Sequence, residues 1–189
     1  MKIFRPILLG ICLLLSACMA DISSRKLSAE SSPIKDLTVA FVTSGNLSAG
    51  NVTNAQQHLM NNSFKQITAT MLNNNGVHTE GVYVSGINLY TTNFAKITKD
   101  SSTSHVLIFQ PSRVFSQNTN PYLIEFEASL VDKKAEKIIW KSTPSWGLCA
   151  KDCEIQTRRM FVSVIKALNK DGFITLKDNK IVDEDNKEF

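Results

Sequence analysis

The sequence predicts one α/β (α+β) domain: a strand-helix-strand unit, then an antiparallel meander and a C-terminal helix, with the helices packed on a mixed sheet. Three observations carry this. The continuous apolar run from Leu37 to Val42 suits a strand buried on both faces. Met60, Phe64, Ile67 and Met71 recur at helical intervals and give one core stripe. Ile124, Phe126, Ala128 and Leu130 alternate with Glu125, Glu127 and Ser129, the pattern of a strand with one buried and one wet face.

The first strand is bounded by Pro33 on one side and by Ser44 and Gly45 on the other. Thr53 and Gln56 stand in capping-box spacing, and Asn73, Asn74, Asn75 and Gly76 stop the helical pattern, so the first helix is about twenty residues long. Val77, Thr79, Val82 and Val84 follow as an extended run, and a right-handed crossover makes the two strands parallel. Phe94 and Ile97 suggest a short helix within 92–100, broken by Ser101 to Ser104. Val106 to Phe109 open a strand that extends toward Phe115; Gln117, Asn118, Thr119, Asn120 and Pro121 are turn material. After the half-wet strand, Asp132 to Glu136 turn the chain and Ile138, Ile139 and Trp140 return. Glu154 begins the last helix, with Phe161, Val164, Ile165 and Leu168 on one face and Gly172 at its end. Beyond Leu176 the charges mix, and 177–189 reads as a loose charged tail.

The 189 residues, 43% hydrophobic and 20% charged, exclude disordered and collagenous chains. Lys2 and Arg5 precede an apolar stretch from Ile7 to Leu15, too short for a stable span, which needs roughly 20 residues. It ends in Leu15, Ser16, Ala17 and Cys18, which resembles the bacterial lipoprotein lipobox at all four positions. That resemblance implies removal of residues 1–17 and acylation of Cys18 on its sulfur and its amine. Several acyl chains anchor a protein lastingly where one does not. Met19, rather than Asp, favours the outer membrane by resemblance to enterobacterial sorting rules, with the domain facing the periplasm. Residues 18–35, rich in serine, read as the lipidated cysteine and a flexible tether, and 36–176 as the envelope domain. Without Lys2 and Arg5, 19 basic side chains stand against 17 acidic ones, which is no footprint for nucleic acid.

The order of elements, with Val131 and Asp132 before a short turn and Ile139 and Trp140 after it, resembles a group of bacterial envelope lipoproteins. The group includes the curli-secretion lipoprotein, the lipoprotein activators of penicillin-binding proteins, and related uncharacterised families. The resemblance covers roughly residues 36 to 173 and implies a binding or accessory role. The membrane-crossing hairpins of the curli-secretion channel and the proline-rich reach segment of the synthase activators have no counterpart here, so neither a pore nor contact with an inner-membrane synthase is expected.

The residues offer little for catalysis. Gly45 and Gly50 follow the first strand, but Gly50 leads into Asn51 and Val52 where a Walker A loop needs Lys and Ser or Thr, so a flexible loop is the reading. His58, His78 and His105 are scattered without metal-ligand spacing, and neither HExxH nor G-x-S-x-G occurs. Glu125 and Glu127 share a strand face that reads as solvated, and Arg158 and Arg159 read as part of a wet helix face. The triplets beginning at Asn46, Asn51 and Asn61 are composition, not glycosylation sites.

With Cys12 removed and Cys18 acylated, Cys149 and Cys153 remain as two thiols in an oxidising compartment. A structural disulfide is expected, with a copper or other metal site and a redox pair as the alternatives. No catalytic residue, resident metal or cofactor is expected. The function that follows is a non-catalytic outer-membrane lipoprotein that binds an envelope protein partner as an accessory factor in assembly or secretion. Its candidate partner surface is Ser44, Gly45 and Asn46 together with Gln117, Asn118 and Asn120, since loops on a rigid sheet usually carry recognition. The alternatives are a surface-exposed lipoprotein and an envelope enzyme with an unrecognised site.

Overall fold

Every residue from Leu37 to Val42 is buried, and the computed structural model makes this run an inner strand of a seven-stranded sheet. The structure describes residues 22–28, 32–42, 47, 50–85, 99, 101–151, 153–183, 185, 187 and 188. Its elements are β1 (Ser24–Lys26), β2 (Asp36–Val42), α1 (Asn54–Asn74), β3 (His78–Ser85), β4 (His105–Gln117), β5 (Asn120–Asp132), β6 (Lys137–Ser142), β7 (Ser145–Gly147) and α2 (Glu154–Lys170), followed by a short 3-10 turn, Lys177–Asn179. The strands run β1-β6-β5-β4-β2-β3, with β7 on β5. β2 is parallel to both β3 and β4, and β4, β5 and β6 form the antiparallel meander. The mixed α+β sheet is thus the one the hydrophobic pattern predicts. The expected helix at 92–100 lies outside the described residues except for Lys99.

Alternation along β2 divides the interior. Leu37, Val39 and Phe41 join the main core with Met60, Phe64, Ile67 and Met71 of α1 and Phe161, Val164, Ile165 and Leu168 of α2. Ala40 and Val42 point the other way, into a second cluster with Val106, Ile108 and Val131. Aromatic rings fill the centre: Phe41 stacks on Phe64 at 4.0 Å and on Phe109 at 4.7 Å.

The ends of α1 explain its length. The Thr53 hydroxyl accepts from the Gln56 N–H while the Gln56 side chain accepts from the Thr53 N–H, a complete capping box. At the other end the Asn73 carbonyl oxygen of the side chain accepts from the Thr79 N–H, which makes the turn into β3. Helix α2 stops where predicted: Gly172 takes φ +79°, and the Phe173 N–H reaches back to the Leu168 carbonyl.

Two terminal segments differ from the sequence reading. Ser24–Lys26 falls in the stretch read as tether, yet it pairs antiparallel with β6, Ser24 opposite Ser142 and Lys26 opposite Trp140. Its residues are polar because an edge strand needs no apolar face of its own when a neighbour's backbone supplies the pairing. The segment after Leu176 is not loose either. Ile181 is buried, and the Asn75 side chain both donates to the Val182 carbonyl at 2.7 Å and accepts from the Val182 N–H at 3.0 Å. Asn74 adds a bond to the Asp183 carbonyl. Asparagines that read as a helix stop therefore also bind the tail.

Cys149 and Cys153 are joined, with Cα atoms 5.4 Å apart. Cys153 is the N-cap of α2 and offers no side-chain hydrogen bond there, so the covalent link fixes a helix start that lacks the usual polar cap. Around it, Thr157 donates to the Cys153 carbonyl and meets the hydroxyl of Ser63 at 2.7 Å, and the Trp146 indole donates to Thr157. This buried network ties α1, α2 and β7 together. Replacing both cysteines by serine is expected to lower stability by about 2 kcal/mol, the loop-closure value for so short a ring. Urea unfolding of the two proteins under oxidising conditions measures it, and equal midpoints would show that the link contributes nothing.

Candidate functional site

The C-terminal ends of β2 and β4 point the same way along the sheet. β2 and β4 are parallel, with Phe41 beside Phe109, so the chain leaving β2 and the distal half of β4 emerge together. Ser44, Gly45 and Asn46 themselves lie outside the described residues. Close by, Gly50 lies against β4: a Cβ on it would be 2.5 Å from the Cβ of Val114 and 2.6 and 2.8 Å from its methyl carbons. Only glycine allows the chain this close. Gly50 thus has a packing reason of its own, independent of any phosphate.

The β4–β5 hairpin continues well past this contact. Among the described residues, β4 from Gln110 to Gln117 pairs with β5 alone, because β2 pairs with β4 only as far as Phe109. Asn118 and Thr119 close the hairpin in the left-handed region, at φ 49° and 66°, the two-residue turn whose twist matches the strands. Gln117, Asn118 and Asn120 are exposed at this tip. Apolar groups stand behind them. Phe115 pairs across the strands with Leu123, both half-buried, and Tyr122 is 53% exposed. The Arg113 guanidinium lies 5.5 Å from the Phe115 ring centre, within cation-π range. Pro111, buried, and the register shift between Pro111 and Arg113 mark an irregularity in β4, features that discourage indiscriminate strand pairing.

The titratable residues considered for catalysis are dispersed. His58 and His78 are exposed on α1 and β3, and His105, at the start of β4, has its Nδ1 2.9 Å from the Ser104 hydroxyl. Glu127 pairs with Lys141 at 2.7 Å, and Glu125 accepts from the Ser112 hydroxyl. Arg158 bonds Glu154 one turn earlier, and Arg159 is exposed. Among the described residues, no three His, Cys, Asp or Glu side chains group as metal ligands would. Nor is any described helix long and apolar enough to cross a membrane.

One carboxylate not flagged by the sequence does organise its surroundings. Glu80 of β3 accepts from the Ser102 and Thr103 N–H groups at 2.9 and 3.3 Å and from the Thr38 hydroxyl of β2 at 3.3 Å. Thr38 and Thr103 are themselves 2.9 Å apart and buried. Glu80 thereby joins β2, β3 and the loop entering β4. Hydrogen bonding, first from the Ser102 side chain, holds its carboxyl below the ordinary value of 4.5, against an opposing effect of burial. A carboxyl lowered on folding stabilises the fold above its unfolded value and loses that contribution as pH falls through the lowered one. Glu80→Gln should therefore unfold more easily than the unaltered protein at neutral pH, and the gap should close in acid. Urea midpoints measured down through the carboxylate range test this; a gap independent of pH would show that the charge of Glu80 is immaterial.

No protein-family model matches the sequence, and no curated protein matches it. Solved structures of similar shape include the PelC dodecamer from Paraburkholderia phytofirmans, 11% identical with a TM-score of 0.42, the match covering 80% of this chain and 97% of that one. Lipoprotein GNA1162 from Neisseria meningitidis is 14% identical with a TM-score of 0.41, over 69% of this chain and 93% of that one.

Proposed function

We propose that this protein is a non-catalytic lipoprotein of the outer membrane, anchored through Cys18, whose projecting β4–β5 hairpin holds a protein partner in the cell envelope as an accessory or assembly factor. The lipobox ending in Cys18 supports the anchor. The observation that carries the binding role is the hairpin tip, where Phe115, Leu123 and Tyr122 back a polar turn beyond the reach of β2. Phe115 and Leu123 lie opposite each other on one face of the hairpin and Tyr122 on the other, and accessible apolar groups rimmed by polar ones are what partner-binding surfaces are built from.

The test is a photoreactive amino acid placed in living cells at Asn118 or Tyr122, and for comparison at Lys65 on the exposed side of α1. Discrete adducts should form from the tip positions and not from Lys65. The pair Phe115→Ser and Tyr122→Ala should reduce adducts formed from position 118 by roughly tenfold or more, the effect of losing an interface hot spot. A folded variant that loses all biological activity on changing only Glu125, Glu127 or a single histidine would instead favour an enzyme.

A further inference from the structure

Strand β1 shortens the leash on the domain. Ser24 is already paired with Ser142, only six residues after Cys18, so even a fully extended link reaches about 20 Å. Whatever surface adjoins β1 is held within about 20 Å of the membrane that an acylated Cys18 would enter. That surface is a cleft of about 320 Å³ between Ile22 and Ser24, one face of α2 and the docked tail. Lys166 and Lys170, one turn apart on α2, stand exposed at its rim. Lys180 lies on the opposite side and bonds Glu188 at 2.8 Å. Three lysines against one glutamate leave the lining positive. Ile22, the lining residue nearest Cys18 in the sequence, is apolar.

We propose that this cleft is the membrane-docking face of the domain, and that Lys166 and Lys170 bind the phosphate groups of anionic phospholipids. The inference rests on the acylation of Cys18 proposed above. Acylation alone would leave the domain free to swing on six residues. Added charge contacts fix its orientation, with the cleft on the bilayer. A link of at most about 20 Å keeps the cleft near the surface without pressing it there, and each lysine near an anionic surface adds attraction that decays within a Debye length and so favours the docked position.

The full-length acylated protein is reconstituted in vesicles of phosphatidylcholine with and without phosphatidylglycerol. Its lysines are then labelled with an amine-reactive ester and read by peptide mass spectrometry, which also reads the acyl mass on Cys18. Labelling of Lys166 and Lys170 should slow about fivefold in the anionic vesicles, while Lys65 on α1 is unchanged. In K166Q/K170Q, whose substitutions fall at exposed positions, Lys180 should lose the protection it shows in the unaltered protein. Equal labelling in both vesicles with Cys18 acylated overturns the docking and leaves the anchor standing. A Cys18 peptide without acyl mass overturns both. Equal protection by millimolar inorganic phosphate in neutral detergent micelles would make the cleft a site for free phosphate, and the membrane proposal would fail.

Discussion

Cys18→Ala is expected to release the protein from the membrane fraction or to arrest it as the uncleaved precursor. On the proposed reading of Leu15, Ser16, Ala17 and Cys18 as a lipobox, the Cys18 thiol receives the lipid, so alanine removes the acceptor while leaving the apolar stretch from Ile7 to Leu15 intact. Loss of the acylated form should be nearly complete in either case. No described helix can substitute as a span, and a handful of lysine contacts cannot match several acyl chains. Fractionation with detergent extraction, together with the mass of the N-terminal peptide, distinguishes release from arrest. An unchanged membrane pellet and an unchanged N-terminus would refute the anchor.

Phe41→Ala should destabilise the domain by about 3–5 kcal/mol, the range for an aromatic removed from a packed core. Phe41 is 1% exposed. Its ring lies between those of Phe64 from α1 and Phe109 from β4, with Phe161 of α2 edge-on at 6.1 Å. Removing it forfeits burial and three ring contacts at once, and leaves a cavity that two helices and the sheet cannot easily close. Since domains of this size are stable by only about 5–15 kcal/mol, the variant would retain little reserve. Phe41→Leu, which refills much of the volume, should recover over half of the loss. A deficit below 1 kcal/mol in equilibrium unfolding of Phe41→Ala would mean that the aromatic stack is not central to stability.

Local signals explain which parts of this molecule could be read from its sequence. The capping box at Thr53 and Gln56, the stripe from Met60 to Met71 and the glycine after α2 each act within a few residues, and each lies where the pattern put it. β1 and the tail were not legible because their partners are remote. Lys26 pairs with Trp140, and Val182 bonds Asn75 107 positions away, while the segments themselves are polar or mixed. At the hairpin, the turn residues Gln117 to Pro121 bracket the two-residue turn, Asn118 and Thr119, but Gln117, Asn120 and Pro121 themselves belong to β4 and β5, and period-two alternation is misleading for Tyr122. That residue has the parity of buried Ile124 and Phe126 and would be assigned to the core. It is exposed because the hairpin runs farther than the elements that cover its base, and strand length relative to neighbouring strands is a property of the sheet, not of the segment. Glu80 escaped notice for a related reason, since its donors Ser102 and Thr103 come from a loop 22 and 23 residues later.

The clamp made by Asn75 also sets an order of events as the chain is made. The last turn of α1 is complete early in synthesis, but Val182, which satisfies both ends of the Asn75 amide, follows 107 residues later. At about 5–20 residues per second that interval is roughly 5 to 20 seconds. Throughout it, one polar group that ends up 5% exposed must stay hydrated, and Ile181 is not yet present to cover its part of the core. Closure of this part of the core therefore waits for the last residues of the tail, which makes the C-terminal segment a late-docking part of the fold.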